Sequence, residues 1–176
     1  QHSAREAVIA LGPWAPEVLD KLGYRLPLFV KRGYHMHYHA EAGATLNHTL
    51  LDPEVGFAMA PMARGIRITT GAEFALRDAA PTPIQLGKAE EAARDFFPLG
   101  ARVDKEPWKG ARPCTPDMMP IISKAPKHQG LYAGIGHAHH GFTLGPATGE
   151  LLAQMMTGEA TSIDVKPFRM GRFMGS

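Results

Sequence analysis

Gly134-Ile-Gly-His-Ala-His-His-Gly-Phe-Thr-Leu-Gly-Pro-Ala-Thr-Gly149 is the stretch on which the reading of this chain turns. The apolar run Leu131–Ile135 leads into it and predicts a buried strand. The glycines then let the backbone come close to a flat or anionic ligand. Pro146 predicts the first turn of a helix, where its missing N–H costs nothing. Beyond it, Leu151, Leu152, Met155 and Met156 fall on one helical face, and Gly158 stops the helix. Free N–H groups and the positive dipole end therefore point at whatever the loop holds, which predicts a negatively charged ligand. Gly134-Ile-Gly136 falls short of a dinucleotide fingerprint, because the sixth position is His139 and no acidic ribose-binding strand follows.

A length of 176 residues allows one domain or one and a half, and an apolar content of 44% is enough for a core. A net charge of +2, with no basic cluster beyond Lys31-Arg32, gives no sign of nucleic-acid binding. The single cysteine, Cys114, excludes an internal disulfide and fits a reducing compartment. No run reaches the roughly 18 apolar residues of a membrane span.

Val8 to Leu11 reads as a strand and Pro13 to Leu22 as a short helix. Strands are then expected at Leu26 to Val30 and at Tyr34 to His39, the second alternating strictly. Asn47 to Leu51, Val55 to Pro61 and Gly65 to Thr70 predict further strands, the last extending toward Ala75. Gln85 to Phe97 predicts a helix with Leu86, Ala89 and Ala93 on one face, ended by Pro98, and Lys105 to Arg112 predicts another strand. Many strands followed by one helix imply a largely antiparallel sheet with a helix against it.

Four motifs keep a common order. They are Val8-Ile-Ala-Leu-Gly-Pro-Trp-Ala15, Lys31-Arg-Gly-Tyr-His35, Gly110-Ala-Arg-Pro113 within Trp108 to Pro113, and the Gly136-His137 to Gly141 and Thr143 loop. With the tail from Ile163-Asp164 to Phe173, this series resembles the C-terminal half of the FAD-dependent D-amino acid oxidase/dehydrogenase family. It is most similar to bacterial D-amino acid and hydroxyproline dehydrogenases. The resemblance implies an α/β fold in two parts. Residues 24–115 would be a substrate-binding domain with a mostly antiparallel sheet. Residues 1–23 and 116–176 would be the C-terminal part of a Rossmann-like FAD domain whose nucleotide-binding half is missing, as the absent Gly-x-Gly-x-x-Gly suggests.

The implied activity is oxidation of the CH–NH bond of a D-amino acid or related amine, with hydride passing to flavin N5. The cofactor is FAD, which this chain alone is not expected to retain. The partners are the small substrate and the N-terminal half, with no transmembrane segment and a cytoplasmic or inner-membrane-peripheral location. The resemblance assigns Arg112 to the substrate carboxylate, with alanine at position 111 where the family has leucine. Tyr34, His35 and His139 are substrate-facing candidates. Gly12, Trp14, Gly136, His137, His140, Gly141, Phe142, Thr143 and Leu144 are the cofactor-contacting candidates. The alternative is an inactive piece, or a domain that binds a small molecule or partner without flavin.

Several of these residues have plainer readings. An arginine before a proline is held extended and suits a two-pronged grip on a carboxylate, yet also suits an ordinary surface ion pair. Tyr34, Met36 and Tyr38 alternate as sheet core would. His35, His37 and His39 share a strand face, and His137, His139 and His140 crowd the loop. Neither cluster has a cysteine or well-spaced acid, so no metal site is expected. Cys114 reads as a buried structural thiol and Asp117 as a turn residue.

Overall fold

The computed structural model describes residues 3–174, which form two compact units. The first contains residues up to Lys31 and from Arg112 onward, and the second runs from Arg32 to Ala111. In chain order the elements are β1 (Ala7–Ile9), α1 (Ala15–Leu19), β2 (Phe29–Ala40), β3 (Leu50–Asp52), β4 (Phe57–Met62), β5 (Gly65–Phe74) and α2 (Ile84–Phe96). They continue with β6 (Leu99–Arg102), β7 (Trp108–Cys114), β8 (Ile121–Lys124), β9 (Leu131–Ile135) and α3 (Gly141–Thr157). The fold is mixed α/β. Among the described residues no helix is long and apolar enough to cross a membrane.

In the first unit three strands lie in the order β1-β9-β8. β1 runs parallel to β9, pairing Val8 with Tyr132, and β8 runs antiparallel to β9, pairing Ile122 with Gly134. The two-residue period sends alternate side chains to opposite faces. Ile121, Ala133 and Ile135 join Ile9, Ala15, Leu19 and Met170 on one side, the last from a 3-10 turn of the tail. Ile122 and Tyr132 meet Leu151 and Leu152 of α3 on the other. Burying an Ile or Leu side chain is worth about 1.5–3 kcal/mol, so each face is held mainly by these contacts.

The second unit is a six-stranded sheet in the order β3-β4-β5-β2-β6, with β7 also pairing β2. β3/β4, β4/β5 and β2/β6 are antiparallel. Leu86, Ala89 and Ala93 of α2 pack on Tyr34, Met36, Tyr38, Phe57, Met59, Ile66 and Ile68. The two strands expected around residue 30 are one long strand. Arg32, in its middle, is 1% exposed. Its Nε donates to Glu73 at 2.6 Å, and its other nitrogens donate to the carbonyls of Leu76, Ala79 and Ala80. Glu73 also accepts from the Tyr34 hydroxyl, which in turn accepts from the Thr82 amide. A buried cation is tolerated here because its donors are satisfied, and in return it pins the loop between β5 and α2.

Candidate functional site

In open α/β sheets the ligand crevice lies beyond the carboxyl ends of parallel strands. At that end of β1 and β9 is an open, largely apolar cavity of about 630 Å³, lined by Val8, Gly12, Pro113, His137, Gly141 and Thr148 among others. Gly12, Gly145 and Gly149 also border it, and a Cβ added to any of the three would meet nothing within 4 Å. Side chains at these positions would therefore occupy the cavity, and the glycines keep it free for a flat ligand. A second cavity, about 690 Å³, lies at the opposite strand ends among Arg5, Glu6, Lys124, Lys127 and His128. It is polar, and strand direction favours the first.

The turn from β9 into α3 is tightly determined. Gly136 has φ 76° and Ala138 φ 50°. A Cβ on Gly136 would also lie 3.0 Å from Thr115 Cγ2. Left-handed backbone at an alanine is uncommon and stores strain beside the cavity. A 3-10 turn, Ala138–His140, then runs directly into α3 at Gly141. The helix thus begins before Pro146, which the sequence predicted as its first turn, and Pro146 lies inside it. The proline is tolerated because the carbonyl it leaves unpaired, that of Phe142, belongs to a solvent-exposed turn that water can reach. No side chain caps the helix start, so the first-turn residues Gly141, Phe142 and Thr143 present backbone amides at the positive end of the helix.

The candidate cofactor residues divide by position. Gly12, His137 and Gly141 line the cavity. Trp14 is 53% and Phe142 98% exposed, and Leu144, Thr143 and His140 are exposed as well. Gly136 is buried at the strand exit. His137 Nε2 lies 2.9 Å from the Thr148 hydroxyl, and burial lowers its pKa. Its ring therefore ties the turn to α3. Nothing in the sequence marked Thr148 as its partner.

Arg112, on β7, is half-buried, and burial lowers its pKa, though a guanidinium stays charged at neutral pH. His139 is exposed, and partial desolvation, then the positive charges of Arg112, Lys31 and His140, lower its pKa. Arg112, Lys31 and His139 thus share one positive field within the first unit, and Lys31 had no predicted part in it. Burial pushes the Cys114 thiol up, and its Sγ lies 3.5 Å from the Arg112 carbonyl, so it is the inert structural thiol expected. Asp117 accepts from the Met119 amide, as a turn residue would. It also pairs with Arg172 at 2.8 Å, which pulls its carboxyl down to about 2.

In the second unit Tyr34 and His35 point to opposite faces of β2. Tyr34 is 2% exposed in the core, with its hydroxyl committed to Glu73 and Thr82. That leaves it a structural residue, whereas His35 is half-exposed on the other face. Among the described residues no three His, Cys, Asp or Glu side chains gather as metal ligands would.

Comparison with known proteins bears on this arrangement. The model of the family described as FAD dependent oxidoreductase (DAO) matches residues 1–155. The D-amino acid dehydrogenase of Paramagnetospirillum magneticum is 31% identical over 173 residues, which is 97% of this chain and 40% of the relative. The D-amino acid dehydrogenase of Xanthobacter autotrophicus is 30% identical over 168 residues, 94% of this chain and 40% of the relative. The chain thus spans about two fifths of the length of these curated relatives. Among solved structures, glycine oxidase from Geobacillus kaustophilus shares the fold with a TM-score of 0.83 at 24% identity, over 98% of this chain and 47% of that one. Iminodiacetate oxidase from Chelativorans sp. BNC1 matches with a TM-score of 0.79 at 26% identity, over 96% of this chain and 46% of that one.

Proposed function

Since the chain belongs to the DAO family of FAD-dependent oxidoreductases, we propose that it is the C-terminal part of an enzyme oxidising the C–N bond of a D-amino acid or related amine. The observation that carries this reading is the cavity at the strand ends, which glycines keep open beside the start of α3. FAD, when bound, supplies the acceptor for the hydride leaving the substrate Cα. Gly12 and Gly141 would let its ring approach the backbone. The first turn of α3, through the amides of Gly141, Phe142 and Thr143 and with Leu144 beside them, would stabilise negative charge there. His137 shapes the turn through Thr148 rather than reaching out. The pyrophosphate cradle is expected in the portion that the longer relatives have and this chain lacks. The chain alone should therefore hold flavin poorly.

Arg112 is assigned to the substrate carboxylate. Partial burial strengthens a two-pronged guanidinium–carboxylate pair and fixes angle as well as position. His139, exposed but with its pKa lowered by partial desolvation and by Arg112, adds a neutral hydrogen-bonding ring near pH 7 rather than a second cation. With Cα–H bond breaking left to the cofactor, the task of these residues is orientation and exclusion of competing poses.

The test is anaerobic mixing of the flavin-loaded protein, at the length of its relatives, with D-amino acids. The flavin absorbance should bleach with a D-amino acid and much less with its L-enantiomer. Bleaching by neither would overturn the proposal.

A further inference from the structure

The face of the second-unit sheet turned away from α2 carries a cluster that the proposed oxidation does not use. His35 and His37 alternate along β2 with the core residues Tyr34, Met36 and Tyr38, so both imidazoles lie on this face. The Trp108 indole folds back over Gly110 of its own strand, where a Cβ would sit 2.4 Å from the ring. It stacks on His35 at 4.7 Å and 18°, and His37 meets His35 edge-on at 5.3 Å. β5 lies beside β2. A Cβ on Gly65 would touch the Tyr38 carbonyl and one on Gly71 would approach Gly33, so the strands run in opposite directions with Arg67 across from His37.

Two buried nitrogens here have no hydrogen-bond partner, His37 Nδ1 and Arg67 Nε. His37 is 7% exposed. The nearest acid is Asp104. Its Oδ2 is 3.8 Å from His37 Nδ1, too far for a hydrogen bond, and its Oδ1 is taken by Arg64 at 2.7 Å. Arg64 is thereby matched, while Arg67 has no ion-pair partner among the described residues. Proteins rarely leave buried donors unmet, since each has lost its water and gained nothing for it. Two such nitrogens on neighbouring strands, on one sheet face beside a flat aromatic wall, describe a site built for an acceptor.

We propose that this face is a binding subsite for a small monocarboxylate, gripped by Arg67 Nε and His37 Nδ1, with its apolar part on the Trp108 indole. One unmatched positive charge and two unpartnered nitrogens on one face suit a planar monoanion, each nitrogen donating to one carboxylate oxygen. A dianion such as phosphate would leave a charge uncompensated. Burial lowers the pKa of both imidazoles, with Arg67 and Arg64 contributing, so His37 is neutral near pH 7 and donates from the tautomer protonated at Nδ1.

The test uses the 176-residue chain and needs no flavin, so its result stands apart from that of the oxidation. Sodium acetate and sodium propionate are titrated at constant ionic strength against chloride, and the imidazole resonances of His35 and His37 are followed by NMR. Saturable shifts are expected with both carboxylates, propionate binding more tightly. Arg67→Gln should raise Kd at least about tenfold, and Trp108→Ala should remove the advantage of propionate. The wild-type titration decides the matter even if a variant folds poorly. Shifts that fail to saturate, or that chloride reproduces, overturn the proposal. Tighter saturation by inorganic phosphate than by acetate, or unchanged affinity in a folded Arg67→Gln protein, does so too.

Discussion

Gly134 of β9 and Leu152 of α3 are fitted so closely that a Cβ on the glycine would lie 3.0 Å from Leu152 Cδ1. The Thr148 methyl would be 3.1 Å away on the same side. This contact sets how near the helix approaches the strand, and so the width of the cavity they share with Gly141 and His137. An alanine here requires two neighbours to give slightly, and a valine requires the helix to move. Gly134→Val is expected to destabilise the chain by about 1–3 kcal/mol and Gly134→Ala by less. Denaturant unfolding measures both. A neutral Gly134→Val would mean that the helix is not held against the strand as described.

The pKa of His139 is expected below its usual 6.5, for partial desolvation and the field of Arg112 act in the same direction. Arg112→Gln should therefore move the titration upward, while Lys166→Gln, on the tail, should leave it alone. A lowered folded-state value means that the unfolded chain binds the proton more tightly. The contribution to stability is thus complete above pH 6.5 and is lost as pH falls from there through the folded value. NMR titration of the imidazole reads the shift directly. No upward movement in Arg112→Gln would separate the two residues and undo the shared positive field.

The central stretch was the most legible part of the sequence. Its strand, its glycine turn and the apolar face of α3 follow from short-range pattern, and so do the α2 face and the alternation of Tyr34, Met36 and Tyr38. Two kinds of feature were not legible. Boundaries moved where tertiary contacts override propensity. Arg32 and Gly33 look like a break in a strand, but the loop carbonyls that satisfy the guanidinium let one strand run through. Pro146 looks like a helix start, yet a 3-10 turn begins the helix at Gly141. Pairings distant in sequence had no local signal at all. Thr148 for His137 is one, and Arg172 for Asp117, 55 residues away, is another.

That last pair ties the C-terminal tail to the turn after β7. Arg172 also donates to the carbonyls of Met119 and Pro120. The hydrogen bonds from Arg172 chiefly hold the Asp117 carboxyl at about 2, below its ordinary 3.8. A depressed carboxyl stabilises above its unfolded value, and the stabilisation disappears as pH falls through the folded one. The contribution should fade between about pH 4 and pH 2. The pair is partly exposed, so Asp117→Asn should cost only about 1 kcal/mol at pH 7. The same variant should flatten the acid limb of a stability–pH curve. An unchanged acid limb would show that the carboxylate is not held by Arg172.

Arg112 is proposed to aim the carboxylate of an amino acid substrate. The most direct measurement compares kcat/KM of wild type and Arg112→Lys, in the flavin-loaded protein of full relative length, for a D-amino acid and for the amine lacking its carboxylate. Lysine keeps the charge but loses the planar two-pronged donor. A charge-assisted hydrogen bond is worth roughly 1.5–3 kcal/mol, so the D-amino acid should lose about ten- to a hundred-fold in kcat/KM. The decarboxylated amine never made that contact and should change little. Equal losses for both substrates would mean that Arg112 supports the fold or the cofactor rather than the substrate, and would overturn its assigned role.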